Sequence, residues 1–373
     1  MRYDELKVAI FTLCTHNNYG NRLQNYALQK FLSNYIEVVD TIWYEDNNFL
    51  PEKPLWNWKI LIKCIINRNN IRNNIKYSYG KDCIREYNIK KFSDKYINIK
   101  YDYKIKSYLN REYDYFIVGS DQVWNPQYKQ YYSEKFLKFA DKEKRLSYAA
   151  SFGVKEINDN KVKNIFKNSL REMKYISVRE AAGAKLIKNL IGVNVEVVVD
   201  PTILISKEEW KKIEMVPEWY NGEKYILTYF LGNPSPIIKN IAKKNNWKIY
   251  NLMDKNDFDL YTSRVEEFVY LIDHAQLVAT DSFHACVFSI LMNTPFLVVN
   301  RQQKGVADMT SRIDTLMELF GYQDRYIVNG KCELSDKEIL NMDFSRVKAI
   351  QERERKRSKD FLEKALNLKV SDR

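Results

Sequence analysis

Short runs rich in β-branched and aromatic residues alternate with segments of helical periodicity along most of the chain. Strands separated by helices pair in parallel, so the pattern specifies α/β architecture with covered parallel sheets. The spacing predicts strands over 7–13, 36–43, 115–119 and 145–151 in the first half. In the second half it predicts strands over 175–178, 195–199, 225–231, 248–252, 277–280 and 296–299. Helical patterns fall between them at 21–32, 180–190, 208–213, 237–244, 265–275, 284–292 and 311–320. In the first of these helices Leu23, Ala27, Leu28 and Phe31 share one face. At 373 residues the chain exceeds one ordinary core. Two α/β halves joined near residue 175 predict two Rossmann-like domains facing across a cleft, 1–175 and 176–345. Residues 51–110 fit the alternation worst and read as a helical insertion. The tail over 346–368 reads as an amphipathic helix that buries Ile350, Phe361, Leu362, Ala365 and Leu366.

Composition excludes several classes. The longest apolar runs fall short of the roughly 20 residues a membrane helix needs. The segment MRYDELKVAIFTL carries acids and runs straight into a strand, so no signal peptide is expected. Cys14, Cys64, Cys83, Cys286 and Cys332 form no C-x-x-C pair, so the expectation is a reducing cytoplasm without a zinc site or disulfide framework. The net charge is +12, and residues 55–106 alone carry 13 Lys or Arg against 4 Asp or Glu. That stretch opens with Trp56 and Trp58 and interleaves apolar with basic residues. It suits a surface that meets anionic lipid or a lipid pyrophosphate, and equally a solvated helical face. No helix-turn-helix, zinc-finger or RRM pattern accompanies the charge, so nucleic acid is not the expected partner.

In open α/β sheets, ligands bind beyond the carboxyl ends of the strands. Thr280-Asp281-Ser282-Phe283-His284 ends one strand and opens a helix. Asp281 or Ser282 can cap that helix, its free N–H groups favour an anion, and His284 adds a donor or a proton. The structural alternative is a histidine held in a capping turn. Arg179, in ISVRE, stands where a strand gives way to a helix. It can grip a carboxylate or phosphate with two parallel hydrogen bonds, or pair with Glu180 or an inter-domain carboxylate. The run Gly119-Ser120-Asp121-Gln122-Val123-Trp124-Asn125-Pro126 sets short polar groups and an aromatic at a strand end. It suits sugar hydroxyls, or a tight turn with an Asp cap. Thr15-His16-Asn17-Asn18-Tyr19-Gly20-Asn21-Arg22 follows the first strand with one glycine, so it is no dinucleotide loop. Its plain reading is a polar loop capping the helix at Asn21. Asp200-Pro201-Thr202 reads as a turn and helix start, Asp257-Phe258-Asp259 as an acidic loop, and His274 as structural.

Several segments match one pattern together. They are YGNRLQNYAL (19–28), YDYFIVGSDQVWNP (113–126), LSYAASFG (146–153), ISVRE (176–180), VVVDPT (197–202), ATDSFHACVFSIL (279–291) followed by PFLVVN, and SRIDTLMELFG (311–321). In this order they resemble the polysaccharide pyruvyl transferase family, and GSDQVWNP is the most specific of them. The resemblance implies a GT-B-like fold, with two Rossmann-like domains facing a cleft and a C-terminal helix (346–373) crossing back to the first domain. It implies transfer of pyruvate from phosphoenolpyruvate to two hydroxyls of a sugar as a cyclic ketal, in making a capsule, exopolysaccharide or other cell-surface glycan. The second domain would take the donor and the first the acceptor.

For the donor the resemblance implies three cationic positions: Arg179, His284 and, by spacing alone, Lys304, with Ser282 and Phe283 beside them. Phosphoenolpyruvate carries close to three negative charges at neutral pH, and such a receptor suits it. His284 is the candidate phosphate ligand and acid, and Arg179 the anion clamp. Asp121 is the candidate for ordering or deprotonating an acceptor hydroxyl. His16, Asn17, Asn21, Ser120, Gln122 and Trp124 are the other acceptor-side candidates. No cofactor or metal is expected. The expected acceptor is a lipid-linked oligosaccharide, with 55–106 on the inner membrane face. Some relatives carry Arg where this chain has Ser282, and many carry Gly where it has Ala285, so one positive charge is missing here. Two rival readings are a nucleotide-sugar glycosyltransferase of the same fold and a non-catalytic member that binds glycan or membrane.

Overall fold

The computed structural model describes residues 3–44, 71–102, 108–128, 132–230, 235–299 and 311–368. The strands β1 (Tyr3–Phe11), β2 (Ile36–Trp43), β3 (Ile99–Tyr101), β4 (Tyr115–Asp121), β5 (Arg145–Ala150), β6 (Ser177–Val178) and β7 (Glu196–Val197) form one sheet. Their spatial order is β3-β2-β1-β4-β5-β6-β7, and neighbours run parallel. The strands β8 (Tyr225–Tyr229), β9 (Lys248–Asn251), β10 (Leu277–Thr280), β11 (Phe296–Val299) and β12 (Tyr326–Ile327) form a second parallel sheet, ordered β12-β11-β10-β8-β9. These are the two common doubly wound orders, and the architecture is GT-B-like α/β, as the alternation predicts. The order turns round between β1 and β4 in the first sheet and between β8 and β10 in the second. A crevice opens at such switch points, and the candidate segments after β1, β4 and β10 stand there.

The helices are α1 (Tyr19–Leu32), α2 (Ile71–Tyr96), α3 (Asn160–Leu170), α4 (Ala181–Ile191), α5 (Pro236–Asn245), α6 (Val265–Asp273), α7 (Phe283–Met292), α8 (Ser311–Phe320) and α9 (Val347–Ala365), with shorter turns between them. Burial explains the sequence patterns. Val8, Ala9, Ile10 and Phe11 are all fully buried, which fits a continuous apolar run covered on both faces. Every residue of α7 is buried, so that helix is apolar all round rather than along one stripe.

The boundary expected at residue 175 is corrected by the topology. β6 and β7 extend the first sheet, and the chain changes sheets between Val197 and Tyr225. The reading of 51–110 as an insertion is also corrected in part: β3 pairs with β2 and forms the edge of the first sheet. The helical expectation holds for α2, whose regular geometry is interrupted at Gly80 (φ 65°).

One face of α2 docks on the second domain, while Phe92 and Tyr96 pack on Tyr26 of α1. Arg85 is buried and donates to the carbonyls of Leu252 (3.1 Å) and Tyr261 (2.6 Å). Its guanidinium lies 4.5 Å from the Tyr19 ring centre. Asn88 donates to the Thr262 carbonyl (2.7 Å), and Lys255 pairs with Asp82 (2.8 Å). Lys90 pairs with Asp94 (2.7 Å), and Lys100 with Glu112. Most of the Trp-bearing half of the basic stretch, 45–70, lies outside the described residues. Among those described, no helix is long and apolar enough to cross a membrane.

The tail behaves as its periodicity predicts. Ile350, Phe361, Leu362, Ala365 and Leu366 are all buried. Gln351 of α9 donates to the carbonyls of Ile203 and Ile205, both at 2.9 Å. Phe361 packs on Tyr148 of β5 (6.4 Å between ring centres), and Lys359 lies over the ring of Tyr35 (5.2 Å). The helix therefore returns to the first domain and ties its end, 201–205, to the chain terminus.

Candidate active site

The site begins with a turn that glycine permits. Gly119 has φ 129°, and a Cβ there would stand 2.1 Å from the Tyr148 carbonyl oxygen. The chain then turns through Asp121 at φ 69°, a left-handed conformation a non-glycine residue rarely adopts. Ser120 holds the turn in place. Its N–H donates to Gln24 Oε1 (3.2 Å), and its carbonyl accepts from Thr12 Oγ1 (3.1 Å). Its hydroxyl donates to Asp200 Oδ2 (3.1 Å).

Arg179 follows β6 and is the centre of the cluster. Nη1 donates to Asp200 Oδ2 (2.7 Å) and Nη2 to Asp121 Oδ1 (3.0 Å), with the side chain 1% exposed. Its guanidinium carbon lies 4.4 Å from the Phe283 ring centre. Asp200 divides its carboxylate. Oδ1 accepts from the Thr202 N–H (3.0 Å) and hydroxyl (2.7 Å), capping the turn at 201–204, while Oδ2 faces Arg179 and Ser120. Ser282 caps α7 by accepting from the Ala285 N–H (3.4 Å). His284, in the first turn, is buried with Nε2 3.6 Å from Asp200 Oδ2.

α1 closes this side. A Cβ on Gly20 would stand 2.0 Å from His284 Nδ1, so the first domain's helix lies directly on the second domain's histidine. Asn18 is the cap of α1, correcting the expectation of Asn21. Asn21 is buried, and its amide donates to Asp121 Oδ2 (3.4 Å). From α8 comes Arg312, 3.9 Å from Asp121 Oδ1. The Gln122 side-chain oxygen accepts from its Nη2 (2.7 Å) and Nη1 (2.9 Å). A cavity of about 330 Å³ adjoins the cluster, with Arg179, Asp200, Phe283 and Arg312 in its wall and Glu354 and Arg357 of α9 at another side.

The electrostatics follow from burial and pairing. Burial opposes ionisation of Asp121, but Arg179, His284 and Arg312 outweigh it and hold the carboxyl below its usual range. Burial likewise opposes ionisation of Asp200, and His284 and Arg179 hold it well below. Burial raises the Glu180 carboxyl. Arg312 is lowered to about 10 by burial and by the charge of Arg179. Three buried donors, Arg179 Nε, His284 Nε2 and Arg312 Nε, have no hydrogen-bond partner among the described residues. Buried polar atoms left unpaired are rare enough to point to a ligand that pairs them.

The structure thus brings together Arg179, His284, Phe283, Ser120, Asp121, Asn21 and Gln122. Other candidates sit elsewhere. Trp124 is fully buried, stacked on Phe136 (5.6 Å), with its indole N–H on the Lys135 carbonyl (2.9 Å). It is a core residue and cannot line an acceptor subsite. His16 is stacked on Trp43 (4.5 Å), and burial with Arg22 and Lys90 lowers it to about 3, so it is neutral. Asn17 is exposed at the mouth of the same loop. Asp121 faces the Arg179 pair, not an open acceptor side. Lys304 lies outside the described residues. Asp257, read from sequence as part of an acidic loop, caps a helical turn at 258–261 through the Leu260 N–H, and His274 stacks on Tyr270 (3.9 Å). Among the described residues Glu214, Asp273 and His274 converge within 4.8 Å, but Lys207 (3.1 Å) and Lys211 (2.8 Å) hold Asp273.

Asp200 and Arg312 are the residues that sequence reasoning missed. Asp200 ends VVVD at a strand's carboxyl end, the position the fold makes suspect. Arg312 is a lone cation in the first turn of SRIDTLMELFG.

The family described as Polysaccharide pyruvyl transferase matches residues 18–303. The chain belongs to this family. The match spans both sheets and takes in Asp121, Arg179, Asp200 and His284, so the buried cluster lies wholly within the family's segment apart from Arg312. No curated protein matches the sequence. Among solved structures, the chain is similar to a putative UDP-N-acetylglucosamine 2-epimerase from Listeria monocytogenes (10% identity, 97% of this chain and 94% of that one, TM-score 0.47). It is similar to UDP-GlcNAc 2-epimerase from Neisseria meningitidis (10%, 93% and 98%, 0.45) and to MurG from Acinetobacter baumannii (8%, 97% and 100%, 0.38). The fold assignment rests on the two strand orders given above.

Proposed function

We propose that this family member moves the pyruvyl group of phosphoenolpyruvate onto two hydroxyls of a sugar, closing a cyclic ketal during synthesis of a cell-surface polysaccharide. The observation that carries the reading is the buried Arg179–His284 pair: Arg179 Nη1 and His284 Nε2 face the same Asp200 oxygen, and Arg179 Nε and His284 Nε2 lack hydrogen-bond partners among the described residues. Phosphoenolpyruvate offers a carboxylate and a phosphate to such donors.

The reaction balances without a cofactor. C3 of the enol takes a proton and becomes methyl, and one sugar oxygen bonds to C2 as its own proton is released. The C2–O bond to phosphate breaks, and the second hydroxyl closes the ketal while its proton leaves with the phosphate. His284 holds the phosphate and supplies a proton; Arg179, its terminal nitrogens held by Asp200 and Asp121, meets the carboxylate through Nε. Asp121 and Asp200 are held ionised and are weak bases, so their part is to orient Arg179. This replaces the hydroxyl-deprotonating part first considered for Asp121. The sugar enters from the side of His16, Asn17 and Asn21. In this reading the acceptor is lipid-linked, and the protein works in the cytoplasm, peripheral to the inner membrane face through 55–106. Salt-sensitive co-sedimentation with anionic vesicles tests that placement.

Transfer itself is tested with phosphoenolpyruvate labelled in its pyruvyl carbons and a glycolipid extract as acceptor. The expected result is label in glycan with matching release of inorganic phosphate, lost in His284→Asn. Label that stays in phosphoenolpyruvate with the wild type overturns the reading.

A further inference from the structure

We infer that Arg312 is a donor-binding residue, a second guanidinium that meets the anionic ligand beside Arg179 in the wall of the same cavity. The inference rests on the donor reading above and deepens it. Arg312 lies beyond the segment that matches the family, which ends at residue 303.

Charge balance is the first argument. Both terminal nitrogens of Arg179 are spent on Asp200 and Asp121. One cation between two carboxylates is not a receptor for a ligand of close to three negative charges, even with His284 protonated. Arg312 supplies the further charge. Its terminal nitrogens rest on the neutral Gln122 oxygen at 2.7 and 2.9 Å. Among the described residues the nearest carboxylate oxygen, Asp121 Oδ1, stands 3.9 Å away and is already held by Arg179. Among the described residues its direct hydrogen bonds thus run to a neutral amide, while Asp121 and Glu180 act on it only through space.

Geometry is the second argument. The Arg312 side chain is 11% exposed, and its Nε lacks a partner among the described residues, as does Arg179 Nε. Both guanidiniums face Asp121 Oδ1 and lie in the wall of the same cavity of about 330 Å³, with the Phe283 ring, so there is room for a small ligand beside them. The placement is also fixed. Thr315, one turn along α8, accepts from the Ala181 N–H (3.3 Å) at the start of α4, next to Arg179 and Glu180. Burial and the neighbouring Arg179 depress Arg312 to about 10, which is the direction an uncompensated cation takes.

The test uses Arg312→Gln and Arg312→Lys in the full chain. Three quantities are read: the melting temperature without ligand, the stabilisation by phosphoenolpyruvate and by inorganic phosphate, and KM against kcat. The expected result is a ligand-free melt at or above that of the wild type, since a buried uncompensated charge is removed. Phosphoenolpyruvate affinity falls roughly ten- to hundredfold, the size of one or two charge-assisted hydrogen bonds. The loss appears in KM more than in kcat, and Arg312→Lys recovers part of it. Wild-type affinity in Arg312→Gln, for phosphoenolpyruvate and inorganic phosphate alike, overturns the inference. If the wild type binds no phosphoenolpyruvate, the donor reading has failed, and weaker phosphate binding by Arg312→Gln still identifies Arg312 as an anion site.

Discussion

Replacing Gly20 with alanine tests whether the contact between α1 and α7 places His284. The new Cβ would stand 2.0 Å from His284 Nδ1, 2.2 Å from Cγ and 2.7 Å from Cβ, where ordinary contact begins at 3.4 Å. Rotating the imidazole relieves the first two clashes but not the third, because His284 Cβ is fixed to the backbone of a wholly buried helix. Relief therefore needs α1 and α7, and with them the two sheets, to move apart by several tenths of an ångström. In a helix, Gly→Ala gains about 1 kcal/mol, whereas overpacking a filled site costs about 1–3 kcal/mol. The net loss of stability is thus about 0–2 kcal/mol, a few degrees in the melt. A catalytic group displaced by about 1 Å loses on the order of a hundredfold in rate. The variant is expected to fold and melt nearly as the wild type while kcat/KM for phosphoenolpyruvate falls by about two orders of magnitude. Activity within a few-fold of wild type, with a native melt, refutes the argument that this contact positions His284.

Other substitutions separate structural from chemical parts. Asp200→Asn leaves Arg179 short of a buried partner and should cost about 3–5 kcal/mol in urea unfolding. In the wild type, Asp121 and Asp200 ionise more readily folded than unfolded. Their contribution is thus complete above the unfolded value of about 3.9 and is lost as pH falls below it; urea midpoints across acid pH should fall less steeply in Asp200→Asn. Trp124→Phe strands the Lys135 carbonyl and should cost about 1–3 kcal/mol with the acceptor KM unchanged; a raised KM at unchanged stability would return Trp124 to the acceptor side. Arg85→Ala removes two charged hydrogen bonds to the second domain and should cost about 3 kcal/mol, with faster proteolysis of α2 as the readout.

What the sequence disclosed and what it hid have physical causes. Ten of the twelve described strands were legible because buried parallel strands are continuous apolar runs, whereas the short edge strands β3 and β12 were not; α8 begins and ends where its periodicity predicts. His284 was a candidate because it follows a strand at a position the fold makes available; Arg179, read alone, suited a paired arginine as well, and the family resemblance singled it out. The boundary at 175 was not legible: β6 and β7 are two residues each, and their membership of the first sheet is a pairing between distant segments. Asp200 was read as a cap, and one of its oxygens is a cap; the other oxygen's part appears only when β4, β6 and α7 are brought together. Trp124 misled because an aromatic among polar residues looks the same in sequence whether it faces a sugar or Phe136. Arg312 is silent alone, since its meaning depends on Gln122 and Asp121 in the other domain.

Thermal stabilisation by phosphoenolpyruvate tests the central claim most directly, that the Arg179–His284 cluster is a phosphoenolpyruvate site. Wild type and His284→Asn are melted with phosphoenolpyruvate, with UDP and GDP sugars, and with phosphoenolpyruvate plus glycolipid extract. At a hundred times its dissociation constant a ligand adds about 2.7 kcal/mol. The account predicts a shift with phosphoenolpyruvate in the wild type that inorganic phosphate competes away and His284→Asn lacks. No shift with phosphoenolpyruvate in the wild type, with or without the extract, or an equal shift in His284→Asn, contradicts it.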